Sequence, residues 1–241
     1  MAQDHIVRSF DDELAKLNQT IAQMGGLAEA QLQSAVQALV RRDPEFAAGI
    51  VKADKRIDEL EVQVGNLAVR MLALRQPMAS DLREVVAALK ISSDLERIGD
   101  YATNIAKRAI ALSGAPIVGT LHAIPRMAAL VQGLIKDVLD AYVAHDAERA
   151  TAAWQRDEEV DAMYTSLFRE LLTYMMEDPR NIGPCTHLMF IAKNIERIGD
   201  HATNVAELVY FLVHGHAMDQ ARPKVDTTNV AVPLAQSSAH E

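Results

Sequence analysis

The segment ISSDLERIGDYATNIA, residues 91–106, returns as IAKNIERIGDHATNVA, residues 191–206, with ten of its sixteen positions identical. An identity of that size at one fixed offset marks an internal duplication. Further towards the N-terminus, Met24 and Leu27 recur as Met127 and Leu130, Asp43 as Asp146, Asp54 as Asp157, and Asp58 as Asp161, all five pairs 103 apart. The offset falls to 100 past the loops around Pro77 and Pro179, and a three-residue difference in loop length accounts for the slip. A chain of 241 residues would otherwise be compatible with one or two domains. The duplication turns it into one fold unit used twice: residues 1–116, residues 117–215, and a C-terminal tail over 216–241 that loses periodicity and is expected to be flexible.

Each repeat reads as three helices. In the first, Leu14, Leu17, Ile21, Met24, Leu27 or Ala28, Leu32, Ala35 and Leu39 keep to spacings of three and four, which places them on one helical face. This predicts a helix over about residues 7–42. Asp43-Pro44 then supplies a capping carboxylate and a proline at the first helical position, where its missing N–H costs nothing. The middle helix carries the stripe Ile50, Ala53, Ile57, Leu60, Val64, Leu67 and Met71 and stops before Pro77, because a residue preceding proline avoids the α region. Ser80 or Asp81 caps the third helix, which ends near Ser113-Gly114, and residues 115–120 link the repeats. The second repeat uses Asp146 as the middle cap, with Asp178-Pro179 or Gly183-Pro184 opening its last helix. The expectation is an all-α fold of six long helices, two tandem three-helix bundles whose uncovered apolar faces pack together.

Composition supports this and closes off other classes. Hydrophobic residues make up 49% and aromatic residues only 5%, with 11 glycines and 8 prolines, which is poor material for strands and turns. Twenty-four basic against 33 acidic residues gives a net charge of -9, a field that repels phosphate backbones and argues against a nucleic-acid partner. The single cysteine, Cys185, rules out an intrachain disulfide and fits a reducing cytosol. No signal peptide and no apolar run of membrane-spanning length is visible, so membrane association is expected only through partners.

The acids are not scattered. Asp54 with Asp58, Glu96 with Asp100, Asp157 with Asp161, and Glu196 with Asp200 are all spaced i, i+4 and all duplicated. That spacing stacks two carboxylates on one side of a helix. Singly, each pair is an ordinary solvated face, and with Ile91, Leu95, Ile98, Ala102 and Ile105 as the buried stripe, Glu96 and Asp100 are expected to face solvent. Four carboxylates converging from two neighbouring helices would instead favour a hard, oxygen-preferring cation. Asn104 and Asn204 extend the rows as possible accessory ligands. Arg97 and Arg197 beside them are expected in solvated salt bridges. Gly99 and Gly199, inside helices, imply close approach of another backbone.

Other chemistry is thinly represented. No HExxH pair, Glu-x-x-His ligand set, phosphate-binding glycine loop or nucleophile elbow occurs. His201, next to Asp200, is the one histidine near a candidate site. Cys185 and Trp154 read as core.

The stretch LRQPMASDLREVVAALKISSDLERIGDYATNIAKRA (residues 74–109), its echo over 175–209, and the opening FDDELAKLNQTIAQMGGLAEAQLQSAV resemble the PhoU family of accessory and regulatory proteins of bacterial phosphate uptake. The likeness covers about residues 6–215, and the twice-used ERIGDxATN is specific. It implies two three-helix bundles whose acidic motifs bind metal clusters in some members. Those motifs fall here on Asp54, Asp58, Glu96, Asp100, Asp157, Asp161, Glu196 and Asp200, while Asn194 stands where the first repeat has Asp94. The resemblance further implies a non-enzymatic, cytoplasmic negative regulator that restrains the Pst phosphate transporter and the PhoR sensor kinase. Its partners would be the transporter ATPase subunit, the PhoR-type histidine kinase and a second copy in a homodimer. The metal, among Fe, Zn, Mn and Mg, is not distinguished by an all-carboxylate set. A metal-dependent hydrolase and a metal-free helical scaffold are the rival readings.

Overall fold

The structure, a computed structural model, describes residues 2–116 and 122–219, with side chains from Phe10 onward. The predicted linker residues 117–120 and tail residues 220–241 lie outside the described residues. Helix α1 spans Ala2–Arg41, α2 Pro44–Ala53, α3 Lys55–Arg75 and α4 Ser80–Leu112; in the second repeat α5 spans Ala123–Ala144, α6 Ala147–Gln155, α7 Asp157–Glu177 and α8 Ile182–His214. No strand occurs among the described residues. The six expected rods are present, and each middle rod is interrupted once, at Asp54 and at Arg156, giving eight helical segments.

Local chemistry explains the boundaries. Arg42 adopts a left-handed φ of 55°, after which the Asp43 carboxylate accepts from the Phe46 N–H at 2.9 Å and Pro44 opens α2. Asp146 caps α6 in the same way, through the Arg149 N–H at 2.9 Å. Neither Ser80 nor Asp81 caps α4: the N-cap position is Ala79, and Asp81 lies in the first turn, where its charge faces the positive helix end. Asp178 caps a single 3-10 turn, Pro179–Asn181, and α8 starts after it, with Gly183 and Pro184 inside its first turn. Gly215, at φ 78°, ends α8.

The interruptions have a visible cause in hydrogen bonding. At Asp54 the Ile57 N–H bonds back three residues, at 2.8 Å, and at Arg156 the Glu159 N–H does the same at 3.1 Å. A continuous apolar stripe crosses both points, which is why the sequence reads as one helix.

The two repeats share one continuous core. It runs from Leu17, Ile21 and Met24 of α1 through Ile91, Leu95 and Ile98 of α4 to Ile191, Ile195 and Ile198 of α8, all fully buried. Helices α4 and α8 pack against each other at the centre, and α1 also reaches α5. The expected packing of repeat on repeat is therefore the central feature of the fold. Trp154 and Cys185 are buried in it, as their sequence positions suggest. Among the described residues, no helix is long and apolar enough to cross a membrane.

Candidate functional site

In each repeat the acid pairs lie where the interrupted middle rod packs against the third helix. Gly99 and Gly199 make that approach possible. A Cβ on Gly99 would stand 3.2 Å from Asp54 Oδ1 and 2.9 Å from Ile57 Cδ1, and one on Gly199 would stand 3.0 Å from Asp157 Oδ1. The expected close approach is real, but side chains make it, a carboxylate in both repeats, rather than a second backbone.

The first cluster is electrostatically one unit. Partial burial raises the Asp58 pKa from its ordinary value, and the charges of Asp54 and Asp100 raise it further. Burial also raises Glu96, followed by repulsion from Asp100, Glu61 and Asp58, with Arg97 opposing. Glu61 is thus a member that sequence reasoning missed; its counterpart 103 residues on is Tyr164, so the duplication gave no signal for it. Gln31 was missed for the same reason. Its amide nitrogen donates to Asp54 Oδ1 at 2.8 Å and to Thr103 Oγ1 at 2.7 Å, tying α1 to both walls of the cluster. Arg97 reaches Glu96 at 3.8 Å and is mostly exposed, a solvated pair as expected.

The second cluster has the same frame and a different interior. Asp157, Asp161 and Glu196 are buried, at 2%, 3% and 5% exposure. Burial raises the Glu196 pKa first; the Lys193 hydrogen bond, 2.7 Å to Oε1, holds it down, and Asp200 and Asp161 push it up. Lys193 stands where the first repeat has Ser93. The other carboxylate oxygen, Glu196 Oε2, is buried without a hydrogen-bond partner, and an orphaned anionic oxygen of this kind is costly.

The solvent-facing placement expected for Glu96 and Asp100 is corrected. Both are partly buried, and their duplicate Glu196 is buried. A single apolar stripe assigns one face to the core, yet α4 and α8 are enclosed by several helices, so the acid face also meets a neighbour.

As donors, these groups are all hard oxygens, and the orphaned Glu196 oxygen and the mutual repulsion in both clusters are defects that a cation would relieve. As the side chains stand, no group of three or more His, Cys, Asp or Glu among the described residues is gathered closely enough to hold a metal ion.

The accessory asparagines turn elsewhere. Asn204 donates to Asp94 Oδ1 of the other repeat at 3.0 Å, and His201 Nδ1 lies 2.7 Å from the same oxygen. His201 therefore serves the seam between repeats, stacked near Tyr101 at 5.6 Å between ring centroids. Asn104 lines a cavity at the other end of that seam. Arg197, expected in a salt bridge, lies over the Tyr101 ring at 5.6 Å.

Comparison with known proteins agrees with this architecture. The model of the PhoU domain matches twice, over residues 21–109 and 124–209. A phosphate-specific transport system accessory protein PhoU homolog from Caulobacter vibrioides is 53% identical over 224 residues, 92% of this chain and 97% of that protein. One from Rhizobium meliloti is 50% identical, covering 95% of this chain and 97% of its own length. The crystal structure of PhoU from Pseudomonas aeruginosa superposes with a TM-score of 0.83 at 41% identity, over 86% of this chain and all of the other. That of the phosphate transport system regulatory protein PhoU from Streptococcus pneumoniae does so at 0.81 and 30% identity, over 88% of this chain and all of the other. These names denote accessory and regulatory proteins, not enzymes.

Proposed function

This chain belongs to the PhoU family, whose members are accessory regulators and not enzymes, and on that premise we propose that it is a negative regulator of phosphate uptake and of phosphate-starvation signalling. When phosphate is plentiful it restrains the Pst transporter through its ATPase subunit and holds a PhoR-type histidine kinase in its signalling-off state, acting from the cytoplasm as a homodimer. The observation that carries the reading is the 53% identity maintained over 97% of the length of the Caulobacter vibrioides accessory protein. The fold is in keeping with it, since long rigid helices present extended surfaces to partner proteins.

The two acidic clusters are the proposed metal sites. Asp54, Asp58, Glu96 and Asp100 would hold a cation in the first repeat, and Asp157, Asp161, Glu196 and Asp200 in the second. Such an ion would supply charge that joins the middle rod to the third helix. The protein's own residues provide the rest: Gln31 orients Asp54, and the glycines let the carboxylates close on α4 and α8.

Deleting the gene in its own host tests the regulatory reading. Phosphate-starvation genes should stay switched on in phosphate-rich medium; unchanged expression would refute it. The metal assignment is tested separately, by elemental analysis of protein purified without chelator against a Glu96→Ala, Asp100→Ala, Glu196→Ala, Asp200→Ala variant. Equal metal content in the two would remove the cluster assignment and leave the regulatory reading standing.

A further inference from the structure

The seam between α4 and α8 opens into a cavity at each end, and the duplication makes the two cavities counterparts. The first, about 690 Å³, is lined by Lys90, Asp94, Asn204, Glu207, Leu208 and Phe211, among others. The second, about 470 Å³, has Phe190, Asn194, Asn104, Lys107, Arg108 and Ala111 at the six equivalent positions 100 residues away, together with His187 and Arg197. Three of those exchanges move the charge towards positive: Asp94 becomes Asn194, Glu207 becomes Lys107 and Leu208 becomes Arg108. The first cavity carries one lysine against two acids, and the second carries three cations and no acid.

The two acids of the first cavity are already matched. Asp94 accepts from Asn204 and faces His201, and Glu207 accepts from Trp154 Nε1 at 3.0 Å. In the second, no carboxylate among the described residues pairs with Lys107, Arg108 or Arg197. The two guanidiniums are held by aromatic rings instead, Arg108 over Phe190 at 4.1 Å and Arg197 over Tyr101 at 5.6 Å. Ring stacking fixes a guanidinium while leaving its in-plane N–H donors uncommitted. Arg108 also meets His187 Nδ1 at 3.5 Å. Partial burial without a counter-ion lowers the Arg108 pKa, yet a guanidinium stays charged. Three like-signed groups around a concave site focus positive potential there and attract an anion, on a chain whose net charge is -9.

We propose that this second cavity binds a phosphate-bearing small molecule, its phosphoryl oxygens taken by Arg108, Arg197 and Lys107, with the amides of Asn104 and Asn194 as further donors. Two arginine forks and an ammonium match a tetrahedral oxyanion of two or more charges. The volume exceeds that of a bare phosphate, and the half-exposed Phe190 ring offers an apolar edge for the remainder of the molecule. This site borders the second acidic cluster, since Asn194 and Arg197 flank Glu196, and it does not depend on the regulatory reading.

Isothermal titration of the full chain with inorganic phosphate, pyrophosphate and ATP tests it. At least one of the three should bind saturably, with an affinity that falls steeply as sodium chloride is raised. The arms distinguish a free phosphate group from a phosphorylated organic ligand. Arg108→Gln with Arg197→Gln should weaken binding about tenfold or more, since removing a charge-assisted hydrogen bond carries a factor of that order. Lys90→Gln, in the opposite cavity, should leave it unchanged. Because breaking the ring stacking could disturb the fold, Lys107→Gln alone, an exposed change, should weaken binding by a smaller factor. No saturable binding of any of the three probes, or equal binding by the parent, the arginine variant and Lys107→Gln, or equal weakening by Lys90→Gln, would overturn the proposal.

Discussion

Replacing Gly199 by alanine sets two effects of similar size against each other. In a helix interior alanine is favoured over glycine by about 1 kcal/mol. At Gly199 the new methyl would stand 3.0 Å from Asp157 Oδ1 and 3.5 Å from Val160 Cγ1. Asp157 is buried at 2% exposure, at the first position of α7, so it cannot swing into water without moving that helix end. Overfilling a packed site of this kind costs about 1–3 kcal/mol. Gly65, in the middle of α3, is the internal reference: a Cβ there meets nothing within 4 Å, so Gly65→Ala reports the helix preference alone. For a chain of this size 1 kcal/mol moves the melting temperature by about 2–4 °C. Gly65→Ala should therefore melt about 2–4 °C above the parent, and Gly199→Ala should fall below Gly65→Ala by about 1–3 kcal/mol, or roughly 2–12 °C. Thermal unfolding followed by circular dichroism reads both. If Gly199→Ala is stabilised as much as Gly65→Ala, the glycine is not there to admit the carboxylate, and the close meeting of the middle rod with α8 has another cause.

Glu96 gives a pH test. Its folded pKa lies above the ordinary glutamate value, so the stability it contributes is complete below that value and is lost as the pH rises through the raised folded pKa. Glu96→Gln keeps the neutral shape, so its melting temperature relative to the parent should rise between about pH 4 and pH 7; a difference independent of pH contradicts the raised pKa that burial and the neighbouring acids impose. Asp94→Ala removes the acceptor shared by Asn204 and His201 across the seam and should cost about 1–3 kcal/mol, seen as a lower denaturant midpoint with an unchanged slope. Adding Mn²⁺ or Zn²⁺ to chelator-treated protein should raise its melting temperature by mass action, about 2.7 kcal/mol at a hundredfold excess over Kd. The same addition should do much less to the four-alanine cluster variant, and an equal rise in both would place the ions elsewhere.

The helical rods, their caps at Asp43 and Asp146 and the pairing of repeats are legible in the sequence because they rest on local rules: spacing, capping chemistry and the exclusion of helix before proline. The interruptions at Asp54 and Arg156 are not, because the apolar stripe crosses them and only the hydrogen-bond pattern changes. The acid positions are legible through their duplication, which acts as a filter for symmetric features. The same filter hides what is asymmetric. Gln31 faces Leu134 in the alignment, Glu61 faces Tyr164 and Lys193 faces Ser93, and each acts on a duplicated acid of its cluster. The basic cavity is hidden more deeply, since its lining comes from both repeats and no single stretch of sequence holds more than part of it.

Duplication thus preserves geometry more strictly than chemistry. Glu96 and Glu196 occupy one position in the repeat, but the first has 23% of its side chain in solvent and an exposed arginine beside it, while the second has 6% and a lysine at 2.7 Å. A cation entering the second cluster must compete with the Lys193 ammonium for Glu196, whereas in the first the corresponding Ser93 offers no such competitor. Against that, the carboxylates of the buried second cluster are less screened by water, which would strengthen their pull on any cation that entered. The two effects oppose, so equal motifs do not mean equal sites. The seam follows the same rule with larger consequences: exchanges on an unchanged helical frame turn a cavity whose acids are internally matched into one whose cations have no carboxylate partner among the described residues.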